Sequence, residues 1–457
     1  MTFVNRRDEL AALDDWWARF ATGTMGILWG RRRVGKTALL RRFAEGKRAI
    51  FFTGSSRTHS DQLAALSSAA ASVVDGRRDL VARPFFDWEE ALEMLAGVAT
   101  DEPVLLVLDE FPELVAISPE LPGVIRAAWD RLQSVTSLRI LFCGSAVRTM
   151  QAMQQERSPL YGRFDLTLQL HPFRPHEAAM MLPDLSVSER ASVWGIVGGV
   201  PLYLQWWDQE ASLRDNVLRL ACTPGSPLLT EGALVLATEA QSGDITRQVL
   251  YAIAGGRTKH NEIADAVRAD PTRTLERLVE LRMVERLFPV TEDPRRTRKR
   301  TYRIADNFLA FYLGALDRHL AEIERGLGKS IVTTLLDELD VHFGHTWEEA
   351  FRMHLRRVAA GGELSSDVVA VGPYWSAGHD PGEIDAVVLA GPGRKPILAG
   401  EAKWGRRVDV RRVTQDLARK AGAIPGARPG IRLCLCTREP VEAPEGILAV
   451  TAEDIFG

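Results

Sequence analysis

Short apolar runs punctuate the first part of the chain at Met25–Trp29, Arg48–Phe52, Val104–Leu108, Leu138–Phe142 and Leu166–Leu170. Longer segments between them return apolar residues at helical spacing. Strands without polar alternation are buried on both faces, and the intervening helices supply the cover. The pattern therefore predicts an α/β fold built on a parallel sheet. From Pro172 to about Thr230 the pattern turns helical. From Asp244 to Ile304 it reads as three helices and a hairpin, helices continue to about Leu339, and the remainder mixes α and β. These shifts place domain boundaries at 1–172, 173–235, 236–312, 313–340 and 341–457.

A chain of 457 residues with 46% apolar composition exceeds one ordinary domain. Its formal net charge of -3 excludes a globally basic nucleic-acid binder, so any such contact must come from local patches. Cys143, Cys222, Cys434 and Cys436 form no CxxC pair and read as packed core thiols. The segment Met1–Arg7 lacks the apolar core of a signal peptide, and Trp194–Leu204 is too short and Gly-rich to span a bilayer. A cytoplasmic protein with no membrane partner is expected.

The first chemistry-bearing motif is Gly30-Arg31-Arg32-Arg33-Val34-Gly35-Lys36-Thr37. It follows an apolar strand and leads into the helical run beginning at Ala38, the context a P-loop requires. Residues Gly30 to Ala38 would wrap ATP: backbone N–H groups and the helix N-terminus face the phosphates, Lys36 reaches the β- and γ-phosphates, and Thr37 ligates Mg²⁺. Val104–Leu108 delivers Asp109 and Glu110 at its C-terminal tip. Asp109 is expected to hold Mg²⁺ and Glu110 to polarise the attacking water. Ser145, after Leu138–Gly144, is expected either to sense the γ-phosphate or to be an ordinary turn serine. Arg163 fits an arginine finger or sensor and equally a structural ion pair.

These motifs, with Phe3-Val4-Asn5-Arg6-Arg7-Asp8-Glu9-Leu10, Leu141-Phe142-Cys143-Gly144-Ser145 and Pro159–Arg163, resemble in order those of the archaeal-type ATPases, related to AAA+ and STAND ATPases. Gly198-Gly199-Val200-Pro201-Leu202-Tyr203-Leu204 resembles that family's lid motif. The resemblance implies a nucleotide-driven switch, with homo-oligomerisation open, and a helical lid at 173–235.

Asp244–Ala254, Lys259–Val267 and Thr272–Leu281 read as the three helices of a winged helix, with Val284–Val290 and Thr301–Ile304 as wing strands. Between Arg268 and Arg303 stand 11 Lys/Arg against 6 Asp/Glu. Arg273 and Arg277 would project from the third helix, while Arg295, Arg296, Arg298, Lys299 and Arg300 crowd the wing. DNA backbone contact fits this excess, and so does a solvated inter-domain spacer.

Near the C-terminus, Gly382–Leu389 and Pro396–Trp404 read as a hairpin. It sets Asp385 opposite Glu401 and Lys403, which share one face, with Glu348 able to join from a helix. Carboxylates that fix Mg²⁺ beside a lysine that orients water are the requirements of phosphodiester hydrolysis. The residues after the hairpin, Arg406 to Lys420, are basic. This D…E-x-K arrangement resembles the PD-(D/E)xK, restriction-endonuclease-like fold, here in the domain of unknown function often fused to archaeal-type ATPases. Ile384 stands where that motif has proline. The chain thus reads as an ATP-hydrolysing protein coupled to DNA binding or metal-dependent nucleic-acid cleavage. The alternative is a STAND-like ATP switch whose nuclease-like domain is inactive and whose carboxylates only make salt bridges.

Overall fold

The computed structural model describes residues 3–74, 78–239, 244–376 and 382–457. They form two compact units, Met1–Pro172 and Phe173–Gly457.

Among the described residues of the first unit, parallel strands β1 (Thr24–Trp29), β2 (Ala49–Thr53), β3 (Val104–Asp109), β4 (Leu138–Gly144) and β5 (Leu166–Gln169) lie in the order β2-β3-β4-β1-β5. Each apolar run is a strand; β1, β3 and β4 are buried on both faces, while the edge strands β2 and β5 are partly exposed. Leu106, Leu108, Ile140 and Phe142 pack with the helices His59–Ala70, Trp88–Val98 and Leu121–Leu132. Their alternates Leu105, Val107, Leu141 and Cys143 pack with Arg7–Arg19 and Lys36–Ala44. Because the strands run parallel, their C-terminal ends share one edge, where ligands of such sheets bind. β4 enters between β1 and β3 and so brings Ser145 beside Glu110.

In the second unit, helices Val187–Val197, Pro201–Trp206, Leu213–Ala221 and Pro227–Glu239 fill the expected lid region. Gly199 approaches Phe173 so closely that a Cβ would stand 1.8 Å from its carbonyl oxygen, which demands glycine there. Helices Asp244–Ala254, His260–Val267 and Thr272–Glu280 precede an antiparallel pair, β6 (Val284–Leu287) and β7 (Thr301–Ile304), as a winged helix requires. One 33-residue helix, Gly328–Ala360, then runs straight through the boundary expected at 340/341. No proline interrupts it, so linker and domain share one helical period.

The C-terminal sheet comprises β8 (Val368–Trp375), β9 (Glu383–Ala390), β10 (Lys395–Lys403), β11 (Arg432–Thr437) and β12 (Ile447–Thr451), ordered β12-β11-β10-β9-β8. β8, β9 and β10 are antiparallel neighbours, whereas β10, β11 and β12 run parallel. β8 carries Gly372-Pro373, which an edge strand tolerates, and the register shifts between Gly372 and Tyr374. One large buried core draws on residues from Phe173 to Phe456, including the lid region, the winged helix and the C-terminal sheet, beside a second, smaller cluster. All four cysteines are buried and free. No helix among the described residues is long and apolar enough to cross a membrane.

Within this core His342 donates through Nε2 to Gly195 O (2.7 Å), tying the long helix to the helix Val187–Val197. Burial pushes its pKa down to about 4, against the pull of the Gly195 carbonyl. The unfolded chain, with an ordinary histidine, takes up its proton first. The stabilisation is therefore complete above the unfolded value and is lost as pH falls towards the folded one. Thermal unfolding between about pH 7 and 4.5 should show this decline, and His342→Gln should flatten it. A variant as acid-sensitive as the parent would remove His342 from the account.

Candidate functional site

β1 ends at Trp29, and Gly30 follows so close to β5 that a Cβ would lie 2.4 Å from Leu170 O. Arg33 and Gly35 adopt φ of 68° and 91°, curling the loop before the helix begins at Lys36. Lys36 is buried and its Nζ donates to Gly30 O (2.9 Å) and Arg31 O (3.0 Å). Burial lowers its pKa, while Cys143, Glu110 and Asp109 work in the opposite direction. Arg6 secures the loop from behind, donating to Val34 O (2.9 Å) and His171 O (2.7 Å). The sequence marks Arg6 only as part of a family motif; its bond to the loop spans 28 positions and its bond to His171 spans 165, and neither has a local signal.

Asp109 and Glu110 sit at the tip of β3. Thr37 Oγ1 donates to Asp109 Oδ2 (2.9 Å), and Glu110 N donates to Asp109 Oδ1 (3.0 Å). Glu110 occupies the left-handed region at φ 48°, an uncommon setting for a non-glycine residue. Ser145 Oγ donates to Glu110 Oε2 (3.0 Å), and Ser145 N approaches the same oxygen at 3.4 Å. Cys143 lies beneath; burial pushes its thiol pKa well up, helped by a hydrogen bond to Asp109. A hydroxyl and a carboxylate converging beside a phosphate loop form a hard oxygen donor set that suits Mg²⁺.

Arg163 is engaged elsewhere. Its Nε and a terminal nitrogen bind both Asp130 oxygens at 3.0 Å, and this hydrogen bonding lowers the Asp130 pKa. In this structure it is a surface ion pair.

In the C-terminal sheet Asp385 lies on β9, Glu401 and Lys403 on β10, and Glu348 on the long helix. Both Asp385 and Glu401 are buried. Ala402 N donates to Asp385 Oδ2 (2.7 Å), and Lys403 Nζ donates to Glu401 Oε1 (2.7 Å). Glu401 Oε2 is buried with no hydrogen-bond partner among the described residues. Burial, then Glu348 and Glu401, push Asp385 up to about 8. Burial also raises Glu348, although Arg352 opposes the shift. Two cations that spacing did not assign to the centre stand beside it: Lys420, 3.7 Å from Glu401, and Arg352, 3.7 Å from Glu348 and donating to Asp385 O (2.8 Å). The expected residues thus share one electrostatic neighbourhood. Among the described residues, however, no three His, Cys, Asp or Glu side chains are already arranged to hold a metal.

In the winged helix, Arg273 is exposed and Arg277 half-buried. Arg295, Arg296, Arg298 and Lys299 are exposed on the wing, while Arg300 folds back to donate to Thr297 O (3.0 Å).

Comparison with known proteins agrees with the N-terminal geometry. Residues 3–206 match the family model of an ATPase domain predominantly from Archaea, and residues 312–414 match archaeal and bacterial proteins of unknown function. An uncharacterized protein of Methanocaldococcus jannaschii is 25% identical over 435 residues, covering 92% of each chain. An uncharacterized ATP-binding protein of the same organism is 48% identical over 46 residues, 10% of this chain and 76% of that protein. Among solved structures, the Walker-type ATPase of Pyrococcus abyssi is similar with a TM-score of 0.52 at 20% identity, covering 68% of this chain and 96% of that one. The chain is thus similar over residues 3–206 to ATPase domains found predominantly in Archaea, and over residues 312–414 to archaeal and bacterial proteins of unknown function.

Proposed function

We propose that the chain hydrolyses ATP in a Mg²⁺-dependent manner at its P-loop and couples this to DNA binding or to metal-dependent nucleic-acid cleavage by its C-terminal domain. The observation that supports it most is the convergence of Lys36, Thr37, Asp109, Glu110 and Ser145 on one sheet edge. Lys36 would exchange its carbonyl partners for phosphate oxygens and neutralise charge there. Thr37 and Asp109 would hold Mg²⁺, which supplies charge neutralisation at the phosphates. Glu110 would draw a proton from the attacking water, with Ser145 aligning its carboxylate. An arginine-finger role for Arg163 requires it to leave Asp130 for the nucleotide of another copy in a homo-oligomer. A cytoplasmic location fits this chemistry.

For the second centre, a divalent cation held by Asp385 and Glu401 would engage the partnerless Glu401 oxygen and offset the crowding of negative charge at Asp385. Glu348 would support it from the helix, and Lys403 would orient the attacking water. The rival reading is an ATP switch with an inactive nuclease-like domain. The ion pairs of Lys403 and Lys420 with Glu401, and the lack of a ready three-group metal cluster among the described residues, favour it.

Lys36→Ala should reduce ATP affinity by at least tenfold, measured by a fluorescent ATP analogue. Glu110→Gln should bind nearly as well and turn over on the order of a hundredfold more slowly, in line with the loss of a general base. Turnover equal to wild type would show that Glu110 is not the base.

Asp385→Ala should abolish both Mn²⁺ binding and cleavage of DNA or RNA, while Lys403→Ala should retain most metal affinity and lose rate. Neither should change ATP turnover without nucleic acid. Both require a folded protein, checked by circular dichroism, since unpairing a buried charge destabilises. If wild type cuts nothing with Mg²⁺ or Mn²⁺, the switch reading replaces the nuclease one.

A further inference from the structure

The wing, residues 288–300, is fastened to the C-terminal sheet. Val290 N donates to Pro373 O of β8 (2.8 Å), and Arg394 in the turn between β9 and β10 donates to Val290 O (2.8 Å), so the wing is tied to two places on this sheet. The Val290 side chain enters the buried cluster of Tyr374, Val387, Leu389, Ala399, Leu417 and Ala421. Val387 and Leu389 of β9 and Ala399 of β10 thereby face this cluster. Strand alternation places Glu401, two positions from Ala399, on that same face, and Asp385 lies close enough to interact with both Glu401 and Lys420. The helix Val410–Gly422 covers it through Leu417 and Ala421, and its Lys420 reaches Glu401. Wing, carboxylates and basic helix therefore belong to one face of one sheet.

The acids of both basic segments are already engaged. Glu292 pairs with Lys299, Asp293 with Arg296, and Asp416 with Arg419 and Lys420, while Asp409 caps its helix by accepting from Arg412 N. What remains is a set of exposed guanidinium groups without an ion pair among the described residues: Arg295 and Arg298 on the wing, and Arg406, Arg407, Arg411 and Arg412 at and before the helix. Single strands are held by stacking on exposed aromatics. Here Tyr302, Tyr374 and Trp404 are buried, and Phe288 of the wing and Trp375 of β8 are only half-exposed. Many exposed cations beside no fully exposed aromatic suit a phosphate backbone whose bases stay paired.

We propose that the wing and the segment Arg406–Arg412 form one track for double-stranded DNA across the Asp385–Glu401 face. The wing then serves the C-terminal domain and not its own third helix. This rests on the nucleic-acid reading above and adds the substrate class and the surface that holds it.

The test uses the full chain with EDTA present, so that binding is read without cleavage, and fluorescence anisotropy of a labelled DNA duplex over a salt series. Arg295→Ser with Arg298→Ser, and separately Arg411→Ser with Arg412→Ser, should each weaken binding several-fold. Each pair should lower the slope of log affinity against log salt by about 2, as expected for two lost phosphate contacts. The combined variant should lose about the sum, and Arg273→Ser on the third helix should bind as wild type does. A circular dichroism spectrum and melting temperature equal to those of wild type would confirm that the variants are folded. An unchanged salt slope in either pair overturns the track, as does equal or tighter binding of single-stranded DNA or duplex RNA. Cleavage is scored separately with Mn²⁺. Binding through both segments without cleavage removes the nuclease reading and leaves the track. Cleavage with both pairs binding normally removes the track and leaves the nuclease.

Discussion

The hydrogen bond from Thr37 to Asp109 joins residues placed by two strands that are not neighbours, and the proposed ATP site depends on it. β1 delivers the phosphate loop and β3 delivers the carboxylates, with β4 lying between them. The tip of β4 must therefore be slim. It ends in Cys143 and Gly144, and a Cβ on Gly144 would stand 2.6 Å from Pro112. That economy of space lets Asp109 reach Thr37 on one side while Glu110 meets Ser145 on the other. The left-handed backbone at Glu110 fits the same constraint: the chain must turn sharply after the strand to aim two consecutive carboxylates at one edge.

The second unit poses a different electrostatic problem. Several charges lie inside it, and their environments drive them in opposite directions. Glu349 illustrates one outcome. Burial alone would raise its pKa, but Arg303, Arg352 and Arg356 overrule it and keep the carboxylate ionised. Arg303 also pairs with Glu285, so this network fastens the winged helix to the long helix. Asp385 is the opposite case, where neighbouring carboxylates add to the burial penalty and leave a proton or another cation as the relief. Together with the shared apolar core, these ties link the lid region, the winged helix and the C-terminal sheet into one compact unit.

Much of the first unit was legible because burial on both faces makes strands apolar throughout, and the P-loop announces its own flanking strand and helix. The position of β4 was not, since chain order does not reveal which parallel strands lie side by side. In the second unit the carboxylates of β9 and β10 were readable from hairpin spacing. β8 was hidden by Gly372-Pro373, and the boundary at 341 was hidden by an uninterrupted helical period. The partners supplied from a distance left the weakest trace. The Arg352 bond to Asp385, Lys420 at Glu401, Arg6 at the phosphate loop and Asp130 at Arg163 all depend on folding that no local spacing encodes, whereas the pairing of Arg352 with Glu348 follows from i,i+4 helical spacing.

The central claim is that Thr37 and Asp109 form a Mg²⁺ site that works together with bound ATP. The most direct measurement is the affinity for a fluorescent ATP analogue with and without Mg²⁺, in wild type and Asp109→Asn. Wild type should bind more tightly when Mg²⁺ is added, and Asp109→Asn should lose most of that gain while keeping its metal-free affinity. A Mg²⁺ effect of equal size in both proteins would contradict the assignment of Asp109.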